Sequence, residues 1–166
     1  MDCVEGVFYI CRYIEDMRLS VEDFLVEAGV EYRLIELKKR AITVNDVVEY
    51  SSKPVNPEQI CKTILVKQGK QYYALFLRGS DRVDFKKLKK LIGKAQIASL
   101  DEIRAVAGVG PGAVCPLLLD VPVIVDRRLL ELERLNFGSG HHLYGVEIDS
   151  RNLGRVLEYT VANFAE

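Results

Sequence analysis

Two runs of the chain, Ile60-Cys-Lys-Thr-Ile-Leu-Val-Lys67 and Gln71-Tyr-Tyr-Ala-Leu-Phe-Leu-Arg78, are nearly continuous in apolar residues and are separated only by Gln68-Gly-Lys70. A connection that short joins two extended segments as an antiparallel hairpin, because a parallel pair needs a long crossover. A strand with one wet face alternates apolar and polar side chains. These two do not, so the hairpin is expected at the centre of a sheet, covered on both faces. Whatever fold the chain adopts must place further elements above and below it.

The flanking sequence offers them. Ser20 is placed to cap a helix holding Phe24, Leu25 and Ala28, with Asp23 three residues on and Gly29 as its stop. Tyr32 to Leu37 reads as a strand, and Thr43 as the cap of a short helix through Val47 and Val48. Ser51 to Pro57 is a loop, with Pro57 opening a short turn. After the hairpin, Gly79-Ser-Asp81 turns the chain into a helix from Asp84 to Ile92, with Phe85, Leu88, Leu91 and Ile92 inward and lysines outward. Ala95 to Ala98 is a short strand, and Ser99 caps a helix through Ala107. Pro122 to Asp126 is a strand, Arg128 to Leu132 a short helix, Phe137 to Gly140 a turn, and Tyr144 to Ile148 a strand. Ser150 caps a last short helix, and the tail from Tyr159 reads as either strand or helix. Residues 1 to about 18 hold Val7, Phe8, Ile10 and Ile14 without a clean period.

The stretch from Ala107 to Pro116, Ala-Gly-Val-Gly-Pro-Gly-Ala-Val-Cys-Pro, carries three glycines and two prolines in ten residues. Glycine lets backbone amides approach a ligand and proline fixes the loop that aims them, so such a stretch can cradle a carbonyl oxygen or a phosphate. It can equally be a tight connection. Lys62 is the second unusual feature, an ammonium inside an apolar strand on the face of Ile64 and Val66. It reaches solvent at the strand end, pairs with a carboxylate such as Asp126, or projects into a cavity to bind an anion or carbonyl.

Other classes are poorly served. At 166 residues with 49% hydrophobic and 28% charged side chains, the chain is an ordinary globular one with room for one core. The net charge of -1 makes any nucleic-acid contact a matter of a local patch. No apolar run is long enough to span a bilayer, and the start Met1-Asp2-Cys3-Val4-Glu5 lacks the basic residues of a signal peptide, so a cytoplasmic location is expected. Cys3, Cys11, Cys61 and Cys115 form no C-x-x-C pair, and His141 and His142 are the only histidines, a poor inventory for a metal. The cysteines read as core residues and the histidines as exposed loop residues.

The ordered set of Cys61-Lys62-Thr63 leading an apolar strand, Gly79-Ser-Asp81-Arg-Val-Asp84 before a lysine-rich helix, Gly112-Ala-Val-Cys-Pro116, Val123-Ile-Val-Asp126, and Gly138-Ser-Gly140 before the strand ending Glu147-Ile148 resembles the YbaK/prolyl-tRNA synthetase-associated family of aminoacyl-tRNA editing domains. The resemblance runs from about residue 19 to the end, leaving 1–18 as an extension of unknown role. It implies a single mixed α/β domain with a curved mixed sheet around a pocket and helices outside.

It also implies hydrolysis of the ester joining a wrong amino acid to the 3′ end of a tRNA, without cofactor or metal. Carried over, Lys62 and Gly112 are the residues expected at the chemistry. Gly110, Ala113, Val114, Cys115, Pro116, Gly138, Ser139 and Gly140 are expected to line the substrate, with Gly112 a glycine so that backbone can approach the aminoacyl group. Arg82, Lys86, Lys87 and Lys90 are candidate tRNA contacts, with Lys38, Lys39 and Arg40 as a second group. The expected activity is a free-standing trans-editing deacylase for small amino acids of the alanine or cysteine type, with tRNA and an aminoacyl-tRNA synthetase as its partners and no membrane. A non-catalytic tRNA- or synthetase-binding module of the same fold is the alternative, and a thiol-based redox protein is a third class.

Overall fold

A computed structural model of the chain describes residues 18–166. The expected N-terminal extension therefore lies almost wholly outside the described residues.

The hairpin forms as the sequence requires. Strand β2 (Cys61–Gln68) pairs antiparallel with β3 (Gln71–Arg78), from Cys61 opposite Arg78 to Gln68 opposite Gln71. Short β4 (Gln96–Ile97) meets β2 on one side; β5 (Val123–Asp126) runs parallel to β3 on the other, and β8 (Thr160–Ala162) parallel to β5. The result is a mixed five-stranded sheet in the order β4-β2-β3-β5-β8. A second, antiparallel sheet holds β1 (Tyr32–Glu36), β7 (Tyr144–Asp149) and β6 (Arg134–His141), in the order β1-β7-β6. One parallel bridge, Ile60 to Asn136, ties the head of β2 to β6.

Both faces of the hairpin are covered. Leu75 and Leu77 point to one side and pack with Val66, Ile124, Phe164 and Leu88, the last from the lysine-rich helix Phe85–Ile92. Ala74 and Phe76 point to the other, against Phe137, Leu135, Val146 and Ile148 of the second sheet and Val21 and Leu25 of helix α1 (Ser20–Glu27). The rings of Phe76 and Phe137 meet edge-to-face at 5.6 Å. Two further helices complete the outer layer: Val44–Tyr50, capped by Thr43 as expected, and Leu100–Ala107, capped by Ser99. A last helical turn, Leu153–Val156, follows β7. Among the described residues no helix is long and apolar enough to cross a membrane.

Several local expectations need correcting. Ser20 is the first helical residue of α1, not its cap; Leu19 holds that place, and Glu22 reaches back to accept the Leu19 N–H at 2.8 Å. Asp149, not Ser150, caps the turn that leads to Leu153, through the Arg151 N–H. The segment after β5 is a 3-10 helix, Arg127–Glu131. Phe85 and Leu91 are not inward: they are 40% and 47% exposed, because an eight-residue helix offers the sheet a narrow stripe that Leu88 and Ile92 fill. Phe137 to Gly140 is not a turn but the continuation of β6, with a bulge between Gly138 and His141. The reversal falls at His142 and Leu143.

Asp126, at the end of β5, is fully buried and accepts the N–H groups of Phe164 at 3.0 Å, Ala165 at 2.8 Å and Arg128 at 3.0 Å. It fastens the C-terminal segment to the sheet and is not the partner of Lys62. Asp126→Ala would strand two buried amides and a partly buried one, so urea denaturation should show a loss of about 3 kcal/mol or more; a loss under about 1 kcal/mol would mean that those amides find other partners.

Candidate functional site

Strand β4 covers β2 only at Val66 and Lys67. Ala98 donates its N–H to the Leu65 carbonyl at 2.9 Å, so the edge of β2 from Cys61 to Ile64 is left open apart from the bridge at Ile60, and a cavity of about 820 Å³ runs along it. This explains why consecutive residues, Ile60 through Leu65, all line the cavity: alternation would allow only every second one if it lay over a single face. The far walls are the Pro111-Gly112 turn with Val114, the Asn136-Phe137-Gly138 segment of β6, and the Ala41 to Val44 segment. Ile42, Ile97 and Leu100 stand at the rim 59%, 57% and 57% exposed.

Glycines set how closely these walls approach. A Cβ on Gly112, whose φ is +89°, would lie 2.2 Å from the Ala41 carbonyl oxygen. One on Gly138 would lie 2.6 Å from the Val114 carbonyl oxygen, and one on Gly140 2.8 Å from Leu118 Cδ1. Gly140 also donates its N–H to the Ala113 carbonyl at 2.8 Å. The G-x-x-x-P loop and the Gly-Ser-Gly strand are therefore clasped backbone to backbone. Gly112 is a glycine because the loop abuts Ala41 and Ile42, a different reason from the close approach to a ligand expected of it.

The cavity wall contains Lys62, Gly112, Val114 and Gly138 of the residues expected there. Gly110, Ala113, Cys115, Pro116, Ser139 and Gly140 stand behind it. Gly110 is packed against Arg40 and His142. Ala113 is buried, its N–H turned back to the Gly110 carbonyl at 3.3 Å. Cys115 lies in the main core and buried Pro116 opens the 3-10 turn Pro116–Leu118. Ser139 donates its hydroxyl to the Tyr144 carbonyl at 2.6 Å. These six shape the wall without forming it.

Lys62 is half-buried and makes no ion pair among the described residues. Burial pulls its pKa below the ordinary lysine value, Asp81 pulls it back up, and Arg82 adds to the lowering. Asp81 is already held by Arg78 at 2.8 Å and faces Arg128 at 3.7 Å. The lysine is thus left with free donors at the cavity wall.

Neither described cysteine suits a nucleophile. Cys61 and Cys115 are buried; desolvation drives the Cys61 thiol far up and the Cys115 thiol to about 12, so neither is a thiolate at neutral pH. Cys3 and Cys11 lie outside the described residues.

Residues not singled out from sequence also line the cavity: Thr43, Thr63, Ser99, Asn136, Tyr144 and both histidines. His141 is exposed, as read; its Nδ1 accepts the Leu143 N–H at 3.1 Å. His142 is half-buried, and burial first, then Arg40, lowers its pKa, which keeps it neutral. The signal for them was weak, because they flank a hairpin turn that was placed three residues too early. No cluster of three or more His, Cys, Asp and Glu side chains converges among the described residues.

The basic residues lie outside the cavity. Arg82, Lys86 and Lys90 are exposed, while Lys87 is partly covered and donates to the Ala165 carbonyl at 3.0 Å. Of the second group, Lys39 lies over the Tyr50 ring at 4.6 Å and Arg40 reaches the Pro111 carbonyl at 3.5 Å, beside the mouth.

The same architecture occurs in solved structures. The hypothetical protein APE2540 superposes with a TM-score of 0.78 at 27% identity, over 88% of this chain and 99% of that one. A candidate trans-editing enzyme for prolyl-tRNA synthetase matches with a TM-score of 0.76 at 22% identity, over 88% and 94%. A candidate signal transduction protein from Marinobacter aquaeolei VT8 matches with a TM-score of 0.66 at 18% identity, over 87% of this chain but only 30% of that one. These likenesses agree with the mixed α/β fold expected from the sequence motifs. The aminoacyl-tRNA editing domain model matches residues 38–156, a span that takes in every cavity-lining residue except Leu37. With well over half of its length matched, the chain belongs to the aminoacyl-tRNA editing domain family.

Proposed function

We propose that the chain is an aminoacyl-tRNA deacylase that acts in trans on tRNA charged with a small wrong amino acid. The observation that carries this reading is Lys62, a cation in no ion pair among the described residues, on the wall of the same cavity as Gly112 of the glycine loop in an editing-domain fold. An aminoacyl ester is already activated, so neither a protein nucleophile nor a metal is required. Water adds to the ester carbonyl carbon, the carbonyl oxygen becomes an oxyanion, and the bond to the ribose oxygen then breaks. The ribose oxygen takes up a proton, and the amino acid leaves as its carboxylate. A fixed ammonium beside the developing oxyanion, or beside the terminal phosphate that positions the ester, lowers the barrier.

The cavity volume of about 820 Å³ suits more than a small side chain; sites of roughly 300–1,000 Å³ hold drug-sized ligands. The terminal ribose and adenine enter with the ester, and the exposed Ile42, Ile97 and Leu100 at the rim offer the base an apolar seat. Selection by size is assigned to the part of the cavity between β2 and the clasped loop. The exposed Arg82, Lys86 and Lys90 are assigned to phosphates farther along the acceptor stem, whose contacts give affinity without sequence specificity. A synthetase is a further candidate partner, and the cytoplasm the expected location.

Three outcomes are expected. Lys62→Ala should lose on the order of 10²-fold in single-turnover deacylation, the size of one lost oxyanion donor, with an unchanged circular dichroism spectrum. Full activity in a folded variant would return Lys62 to a structural role. Reversal of Arg82, Lys86 and Lys90 to Glu should weaken tRNA binding and flatten its dependence on salt; an unchanged salt slope would mean a merely solvated face. Alanyl-tRNA should be hydrolysed roughly 10-fold or more faster than phenylalanyl-tRNA. Equal rates would contradict selection by size, and inactivity on every ester tried would favour the non-catalytic binding module.

A further inference from the structure

The hydrogen-bond alternation along β2 decides which of its backbone groups face the cavity. The Gly79 N–H donates to the Ile60 carbonyl at 2.7 Å, so Ile60 and Gly79 form a bonded pair at the end of the β2–β3 ladder. Bonded and non-bonded pairs alternate along an antiparallel ladder. Lys62 opposite Leu77 and Ile64 opposite Leu75 are therefore bonded pairs, and Thr63 opposite Phe76 is not. The N–H and C=O of Thr63 point away from β3. Leu65 obeys the same rule: its carbonyl points away from β3 and accepts the Ala98 N–H at 2.9 Å. On that side β4 pairs only with Val66 and Lys67, and β6 bridges β2 only at Ile60. Among the described residues no turn, loop or cap residue bonds to the Thr63 N–H or C=O. A donor and an acceptor of one residue thus lie side by side on the open edge, in the cavity wall between Lys62 and Ile64. The Thr63 hydroxyl oxygen is itself buried while the residue is only half-buried, so the cavity meets its backbone and methyl group.

We infer that the Thr63 backbone receives the aminoacyl group as one added residue of β-strand, its N–H donating to the ester carbonyl oxygen and its C=O accepting from the α-amino group. This deepens the editing reading above and rests on it. An aminoacyl ester presents the same N–Cα–C=O atoms as a peptide residue, and two residues of a bonded antiparallel pair exchange these two bonds. Addition to a free strand edge draws its affinity from main-chain bonds, which every amino acid supplies alike. The α-amino group donates an N–H whether or not it is protonated. The Thr63 N–H is fixed by the bonded pairs on either side of it, so it keeps its aim as the carbonyl oxygen gains charge. Lys62 projects from the opposite face of β2, so backbone donor and ammonium approach the ester from different directions.

Amide hydrogen exchange, read by NMR on the whole chain, tests the pairing with two hydrolysis-resistant probes. One is 3′-alanylamino-adenosine; the other, 3′-propionylamino-adenosine, lacks the α-amino group. In the free protein the Thr63 N–H should exchange faster than that of Ile64, which is in the ladder. Saturation with the alanyl probe should slow it roughly 10-fold or more, and the propionyl probe should bind roughly 10-fold more weakly, the effect of one hydrogen bond. Replacing the Thr63 N–H by an ester oxygen, through the α-hydroxy analogue of threonine, should lower kcat/KM for alanyl-tRNA on the order of 10²-fold. The Tm should fall less than for the same replacement at Ile64. A Thr63 N–H already as protected as that of Ile64 in the free protein would show a partner in place and overturn the inference. So would unchanged exchange at saturation, equal affinity for the two probes, full activity of the Thr63 backbone ester, or an equal fall in Tm at the two positions. In each of those cases a wild type that deacylates alanyl-tRNA leaves the editing reading standing. A wild type that hydrolyses no aminoacyl ester and binds neither probe would overturn both.

Discussion

The site depends on backbone packed against backbone where side chains would ordinarily intervene. Gly112 seats the G-x-x-x-P loop on the Ala41 carbonyl, and Gly138 seats β6 on the Val114 carbonyl, at separations that no Cβ could occupy. Between them the Gly140 N–H closes on the Ala113 carbonyl. Three segments distant in sequence are thereby held against one another without side chains to flex. They face the open edge of β2, where Lys62 is fixed by a strand hydrogen-bonded along its length to β3. The cavity is preformed because its walls are secured from behind by buried residues such as Ala113, Cys115 and Pro116.

Such a frame suits chemistry that asks little of individual side chains. Hydrolysis of an activated ester needs a held substrate, a water and a fixed positive charge. Preorganisation makes one ammonium effective, since nothing must reorganise as charge develops. Partial burial lowers the pKa of Lys62, which weakens its hold on a proton but raises its value as a charge in an apolar surround. Asp81 would quench that charge if it were free, yet Arg78 and Arg128 already occupy it. The exposed basic residues Arg82, Lys86 and Lys90 lie outside the pocket, so the proposed affinity for a polyanion and the proposed chemistry at the ester are separable.

Much of the fold could be read from the chain because the central hairpin announces itself: apolar runs on both sides of a three-residue connection leave little choice. Helices with a sequence-local signal, such as the Thr43 and Ser99 caps, are equally visible. What failed were features decided by tertiary contact. Gly138-Ser-Gly140 looks like a turn, yet its glycines serve close packing within a strand, and that displaced the turn at His142 and Leu143. Phe85 and Leu91 look like core residues, yet the helix is too short to bury them. Within the site, Lys62 stood out as a charge in an apolar run, and the glycine motif marked one wall. Thr63 and His142 carried no signal, because their lack of partners is a property of the assembled cavity and not of their neighbours in sequence.

In the proposed function, the open edge of β2 and the clasped loop together receive the aminoacylated 3′ end. Backbone NMR titration with a hydrolysis-resistant 3′-aminoacylamino-adenosine carrying a small side chain tests it directly. The largest shifts are expected at Lys62, Thr63, Gly112, Val114 and Gly138, with little change on the outer face of the lysine-rich helix. Shifts confined to Arg82, Lys86 and Lys90, with the cavity residues unmoved at saturation, would contradict it.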